Sequence, residues 1–191
     1  FDYLPKFKNW LMCASIDGTG DIVEFIRKGI VWDEWLANFK KGLAAPHGKE
    51  RMLFDLTITG PGMFSIKDLF DLSLELDVRI ETKIMFAFHA DIVFSPFAWP
   101  KHILNRHLDE LLAYIEPKAT PKQQTLVNTL KGMKDRQTFA EQWPDTHEEQ
   151  FFNGRNYQEQ LDRIRQEQFR LEDIYKRDTE LYEWWTRQKK N

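Results

Sequence analysis

The sequence predicts an α/β protein built on parallel strands. Short apolar runs near residues 10–16, 53–59 and 79–88 alternate with stretches of helical period. That order, β-α-α-β-α-β-α, is the one right-handed crossover units produce. The first run ends in Ser15-Ile16-Asp17-Gly18-Thr19-Gly20, two polar residues of one parity and a glycine-loosened turn. A parallel sheet presents a ligand site in this way, at the carboxyl ends of its strands. A third observation divides the chain. Residues 1–116 carry the strands and their crossover helices, and residues 117–191 form a polar helical extension.

Trp10 to Ile16 barely alternates and reads as a strand buried on both faces, with Leu11, Cys13, Ser15 and Asp17 on one side. Asp21 to Lys28 is a short helix ended by Gly29. A second helix, about Asp33 to Lys41, aligns Trp32, Trp35, Leu36, Phe39 and Leu43, with Gly42 as its stop. Ala44 to Glu50 is a loop containing Pro46 and Gly48. Met52 to Thr59 is the next strand, with Asp55, Thr57 and Thr59 alternating against Phe54, Leu56 and Ile58. Gly60-Pro61-Gly62 breaks it, and Ser65 is placed to cap a helix.

From Leu72 to Phe86 the even positions are almost all apolar, the pattern of one long strand. Fifteen residues far exceed the usual strand of about five or six. The segment therefore divides into a helix to about Leu76 and a strand from about Arg79 to Phe88. Two proline turns, Ser95-Pro96 and Trp99-Pro100, precede a helix from about Lys101 to Ile115, whose stripe is Ile103, Leu104, Leu108, Leu111, Leu112 and Ile115. Thr120-Pro121-Lys122-Gln123 supplies a cap, a first-turn proline and a capping-box partner. The tail is helical from about Tyr157 to Gln188, with Leu161, Ile164, Leu171, Ile174, Tyr175, Tyr182 and Trp185 as its apolar side.

Composition limits the function classes. With 42% hydrophobic and 14% aromatic residues the chain has the means to build a core. A net charge of −3 gives no general attraction to nucleic acid or anionic membrane. No run of about twenty apolar residues spans a bilayer, and the N-terminus lacks a signal pattern. A single cysteine, Cys13, makes neither an internal disulfide nor a four-thiolate site, which suits the cytoplasm. The chain begins at Phe1 with its first strand almost at once, and so reads as a fragment or a processed chain.

Several groups are candidates for chemistry. Ser15 and Asp17 point to one side of a strand end, a hydroxyl and a carboxylate suited to vicinal hydroxyls such as a ribose. Asp17 equally starts a turn by accepting the amides of Gly18 or Thr19. Glu24 and Arg27, three apart on a helix, make a surface ion pair, or else Arg27 clamps a ligand carboxylate. Asp17-Gly18-Thr19-Gly20 is also similar to the phosphate loop of actin-like ATPases, but that loop lies in a hairpin and a helix is expected here. Thr57 and Thr59 are ordinary strand residues whose parity also points them inside a barrel. His102 and His107, five apart, do not share a helix face for a metal, and His89 is an exposed loop residue or lines the strand ends. Trp184 and Trp185 pack a helix, since no basic groove accompanies them.

Three stretches together resemble radical S-adenosylmethionine (radical SAM) enzymes of the twitch-domain branch. They are Ser-x-Asp-Gly at 15–18 with Glu24-Phe25-Ile26-Arg27-x-Gly29 and Trp32, the strand and helix from Leu53 to Leu76, and Ser95-Pro96-Phe97-Ala98-Trp99-Pro100-x-His102-Ile103-Leu104. Thr138 to Trp185, with Asp162-x-x-Arg165, is loosely similar to the family's C-terminal region. The resemblance implies the C-terminal half of a partial, six-stranded TIM-like (β/α) barrel. It implies S-adenosylmethionine as cofactor, with Ser15 and Asp17 at the ribose, Arg27 at the carboxylate, and Thr57 and Thr59 along the methionine or ribose part. It implies a [4Fe–4S] cluster in the full-length parent, reductive cleavage of S-adenosylmethionine there, and hydrogen abstraction from a peptide or protein substrate. The Cys-x3-Cys-x2-Cys loop that holds the cluster is absent from this sequence, so this chain alone is expected to be inactive and to bind no iron. With one cysteine an auxiliary cluster is excluded. The alternative is a non-catalytic α/β module that binds a peptide or protein.

Overall fold

Backbone pairing in the computed structural model, which describes residue 3 and residues 6–187, produces a three-stranded sheet. Strands β1 (Met12–Ile16), β2 (Met52–Ile58) and β3 (Arg79–Ile84) lie in the order β1-β2-β3, and both pairs are parallel. The register sets Ser15 beside Asp55, Asp55 beside Glu81 and Thr57 beside Lys83. Successive side chains alternate between faces. One face therefore carries Ala14, Ile16, Phe54, Leu56, Ile58 and Ile80, and the other Cys13, Ser15, Asp55, Thr57, Glu81 and Lys83.

Helices cover the first face. Helix α1 (Gly20–Ile26) buries Ile22, Val23 and Phe25. Helix α2 (Trp32–Leu43) packs Phe39 against Phe54, the rings tilted by 30° at a centroid distance of 4.6 Å. After a short turn of helix, α3 (Gly48–Arg51), and strand β2, helix α4 (Ile66–Glu75) buries Ile66, Leu69 and Phe70. Helix α5 (Lys101–Ile115) buries all six residues of its expected stripe. Helix α6 (Gln124–Lys134) bonds to β3 through the Thr129 and Thr82 hydroxyls, 2.6 Å apart. Thr120 and Gln123 form the expected capping box ahead of it, and Gln123 also donates to the Val78 carbonyl.

The tail comprises α7 (Phe139–Gln142), α8 (His147–Ile164), α9 (Leu171–Tyr175) and α10 (Thr179–Arg187). It shares one hydrophobic core with the sheet helices, in which Phe139, Phe151, Leu171, Ile174, Tyr175, Leu181 and Trp185 are buried. Tyr175 makes the deepest tie. Its hydroxyl donates to the Val93 carbonyl and accepts from Trp99 Nε1. Among the described residues no helix is long and apolar enough to cross a membrane.

Several expectations are corrected. β1 is not buried on both faces: Leu11 is 59% exposed and Cys13 is exposed, because nothing among the described residues covers that side. An apolar run shows that a strand forms, not that both faces are covered. Gly42 does not stop α2. It lies inside the last turn, where its carbonyl meets the backbone of Gly48, and α2 ends before Pro46. Residues 48–51 are helical, not loop. Strand β3 ends at Ile84 instead of Phe88, since Phe86 and Phe88 leave the sheet to pack on Phe139 and Trp143. The tail helix begins at His147 and breaks after Ile164, at Gln166, which has a left-handed backbone. Ile164 is 77% exposed, and Leu181 joins the core. The expected end at Gln188 lies outside the described residues.

Candidate functional site

The uncovered face of the sheet becomes polar toward the carboxyl ends of its strands. Ser15, on β1, donates its hydroxyl to Asp55 Oδ2 at 2.9 Å. Lys83, on β3, donates to the same oxygen at 2.7 Å. Three strands thus contribute one hydroxyl, one carboxylate and one ammonium to a continuous row. The Lys83 hydrogen bond holds the Asp55 carboxyl below its ordinary value of 3.8, against partial burial that raises it, and the Ser15 hydroxyl lowers it further.

Asp17 and Arg27 meet. Asp17 is buried, and the Arg27 Nε donates to its Oδ2. The turn reading of Asp17 is not realised, because the Thr19 amide donates to Ser65 Oγ instead. Nor does Arg27 pair with Glu24, whose carboxylate accepts the Trp32 amide at 2.8 Å. The carboxylate of Glu24 therefore joins α1 to the start of α2, while Arg27 turns back to the strand end. Among the described residues no hydrogen bond reaches the two terminal nitrogens of Arg27. Asp17 fixes the guanidinium by one edge and leaves a fork of donors for a second acceptor.

Asp17, Thr57 and Thr59 line a cleft of about 230 Å3 with Ile26, Met85 and Asp91. Thr59 is already engaged, since its hydroxyl accepts the Gly62 amide at 2.9 Å and opens the turn after β2. The half-buried Thr57 remains available on the open face. The floor is set by close backbone approach. A side chain on Gly62 would run into the Asp17 carbonyl and the Thr59 hydroxyl, and one on Gly18 into Ser65 Oγ. The two glycines bring the turns after β1 and β2 together. Ser65 sits at the start of α4 but makes no cap bond, since its hydroxyl donates to the Gly62 carbonyl.

Ser15, Asp17, Arg27, Thr57 and Thr59 thus share one end of the sheet, with Ser15 facing Asp55 and Arg27 facing Asp17. Asp55, Lys83 and Asp91 were missed in the sequence. For Asp55 a signal was present, its parity with Thr57 and Thr59. Lys83 was hidden by the apolar even positions around it. The histidines play no part here. His107 packs between Phe64 and Trp99 and bonds Asp178 at 3.0 Å, and burial pulls its pKa below the ordinary value. His102 meets Glu180, and His89 is exposed. Trp185 is buried on Phe151 and Tyr175, the packing role expected of it. Among the described residues no group of acidic, histidine and cysteine side chains is arranged to hold a metal.

The Asp55 bonds give an acid-dependent stability. A carboxyl lowered in the folded state contributes stability above its unfolded pKa and loses it as pH falls through the folded value. Asp55→Asn should flatten the fall of Tm with acid below about pH 4. An unchanged acid limb would show that the row of Ser15, Asp55 and Lys83 adds no stability.

No family model, curated protein or solved structure matches this chain.

Proposed function

We propose that the open carboxyl-end face of the sheet binds S-adenosylmethionine, and that the chain is the C-terminal half of a radical SAM partial barrel. The observation that carries the proposal is Arg27, held by Asp17 at a strand end with two guanidinium nitrogens still open. The parallel order of the strands and the polar character of the uncovered face support it as well. The donor set suits the ligand. The Ser15 hydroxyl donates its hydrogen bond to Asp55 and keeps lone pairs to accept from a ribose hydroxyl, with Thr57 beside it. Arg27 takes the methionine carboxylate in its fork. Asp17 is a positioning residue for Arg27, a narrower role than ribose contact, and Thr59 shapes the turn beneath.

The residues present do not fit a [4Fe–4S] cluster, which needs several thiolates where this sequence has only Cys13, on an exposed strand position. In this proposal the cluster belongs to a segment that this sequence does not contain. What the chain contributes is binding, orientation and one wall of the site. The chemistry is supplied by the bound molecule.

Calorimetric titration tests the assignment. Arg27→Ala should weaken binding of S-adenosylmethionine by roughly 1.5–3 kcal/mol, the scale of a lost charge-assisted bond. Ser15→Ala should cost about 1 kcal/mol, since water replaces part of a neutral hydroxyl's bond. Unchanged affinity in Arg27→Ala would remove the carboxylate clamp and leave that residue a partner of Asp17 alone.

A further inference from the structure

The chain that follows α8 lies across α1, the short helix that leads to Arg27. α8 closes through a left-handed residue, Gln166, at φ 55°. The Gln166 amide donates to the Arg163 carbonyl at 3.2 Å and the Glu167 amide to the Asp162 carbonyl at 2.9 Å, the paired bonds that fix such a turn. Beyond this turn the tail meets α1 three times. The Glu167 carboxylate accepts from Lys28 Nζ at 2.7 Å. The Phe169 ring meets Phe25 edge to face at 6.1 Å. Arg177, after α9, donates to Asp21 at 2.6 Å and lays its guanidinium 5.9 Å over the Phe169 ring. α1 is thus held at its first turn, at its middle and just past its last turn.

The position of Arg27 depends on that hold. α1 has seven residues and no side-chain cap at its start, so little of its own bonding sets its place. The Arg27 amide closes the helix on the Val23 carbonyl at 2.8 Å, and Lys28 is the next residue. Phe25 carries the contact inward, since it also packs on Phe94 at 6.1 Å, and Phe94 and Ile26 line the cleft at the strand ends. Asp21 and Arg177 lie 156 residues apart, so the hold comes from tertiary packing alone.

We propose that the segment from Glu167 to Arg177 is a strap that sets Arg27 on Asp17, with Glu167 and Arg177 as positioning residues for the guanidinium. The strap acts on the S-adenosylmethionine site proposed above, and its effect on affinity rests on that reading. Both ion pairs are partly exposed, and pairs of that kind add little to overall stability. Removing one therefore leaves the fold in place and changes where the end of α1 sits.

Nuclear magnetic resonance of the full chain tests this through the Arg27 side chain. Its Nε–H resonance, assigned by its loss in Arg27→Lys, reports the bond to Asp17. Glu167→Gln and Arg177→Gln should each shift and broaden it. The exchanged pair, Lys28→Glu with Glu167→Lys, should return it to the parent position. Lys176→Ala removes a tail ion pair, to Asp173, that does not involve α1, and should leave the resonance unmoved. Glu167→Gln should also weaken S-adenosylmethionine binding about three- to fivefold, the scale of a partly exposed ion pair. In an Arg27→Ala background it should have no further effect, because the two residues act through one contact. The strap is overturned if Glu167→Gln and Arg177→Gln leave the Arg27 resonance in place, if the exchanged pair does not restore it, or if Lys176→Ala moves it as far. A parent chain that does not bind S-adenosylmethionine overturns the reading of the site, and the resonance still decides the strap.

Discussion

Phe54→Ala is expected to destabilise the protein by about 3–5 kcal/mol, the range for deleting a fully buried aromatic ring. Phe54 lies on the central strand and is 0% exposed. Its ring meets Phe39 at 4.6 Å and Trp35 at 6.1 Å, so it carries the contact between the sheet and α2. The cavity would be hard to close, because β2 is paired on both sides and its backbone has little room to move. Urea denaturation measures the effect. A loss below about 1 kcal/mol would mean that α2 does not depend on this face of the sheet.

Tyr175→Phe should cost about 1–3 kcal/mol for each of the two buried groups it orphans. The change removes only an oxygen, so shape and apolar burial are kept. What is lost is the bridge from Trp99 Nε1 through the hydroxyl to the Val93 carbonyl, which joins α9 to the turn before α5. Burial, against the opposing Trp99 hydrogen bond, holds the hydroxyl well above the ordinary range of a tyrosine, so it stays a proton donor at all working pH. Wild-type stability in Tyr175→Phe would show that helical burial alone fixes the tail to the core.

Much of the fold was legible because hydrophobic period and capping chemistry are local. The division of residues 66–88 into α4 and β3 followed from strand length, and the Thr120 and Gln123 capping box from spacing. The exposure of Leu11 and Cys13 was not legible, since an apolar run says nothing about what covers each face. The tail was misread for a similar reason. Its period was clear, and Leu171, Ile174, Tyr175 and Trp185 face inward as expected, but α8 ends at Ile164, which is left exposed, and Leu181 joins the core.

The site was legible in its parity and not in its pairings. Ser15, Asp17 and Thr57 could be placed at one strand end from alternation alone. That Ser15 meets Asp55, and Asp55 meets Lys83, depends on the register of strands separated by whole crossover units, which no local pattern encodes. Arg27 was assigned two candidate partners, Glu24 at the favourable helical spacing and a ligand. The structure gives it a third. α1 ends at Ile26, so Arg27 lies past the last turn and its side chain is directed to the strand end instead of along the helix.

The central claim is that the face bearing Ser15, Arg27 and Thr57 receives S-adenosylmethionine. Its most direct test is a titration of the isotope-labelled chain followed by amide resonances, which registers even weak binding to a partial site. The account predicts saturable shifts at residues 15–19, 27 and 57–59, with the amino ends of the strands near Met12, Met52 and Arg79 unmoved, and loss of those shifts in Arg27→Ala. An absence of shifts at the carboxyl ends, or shifts there that persist unchanged in Arg27→Ala, would contradict it.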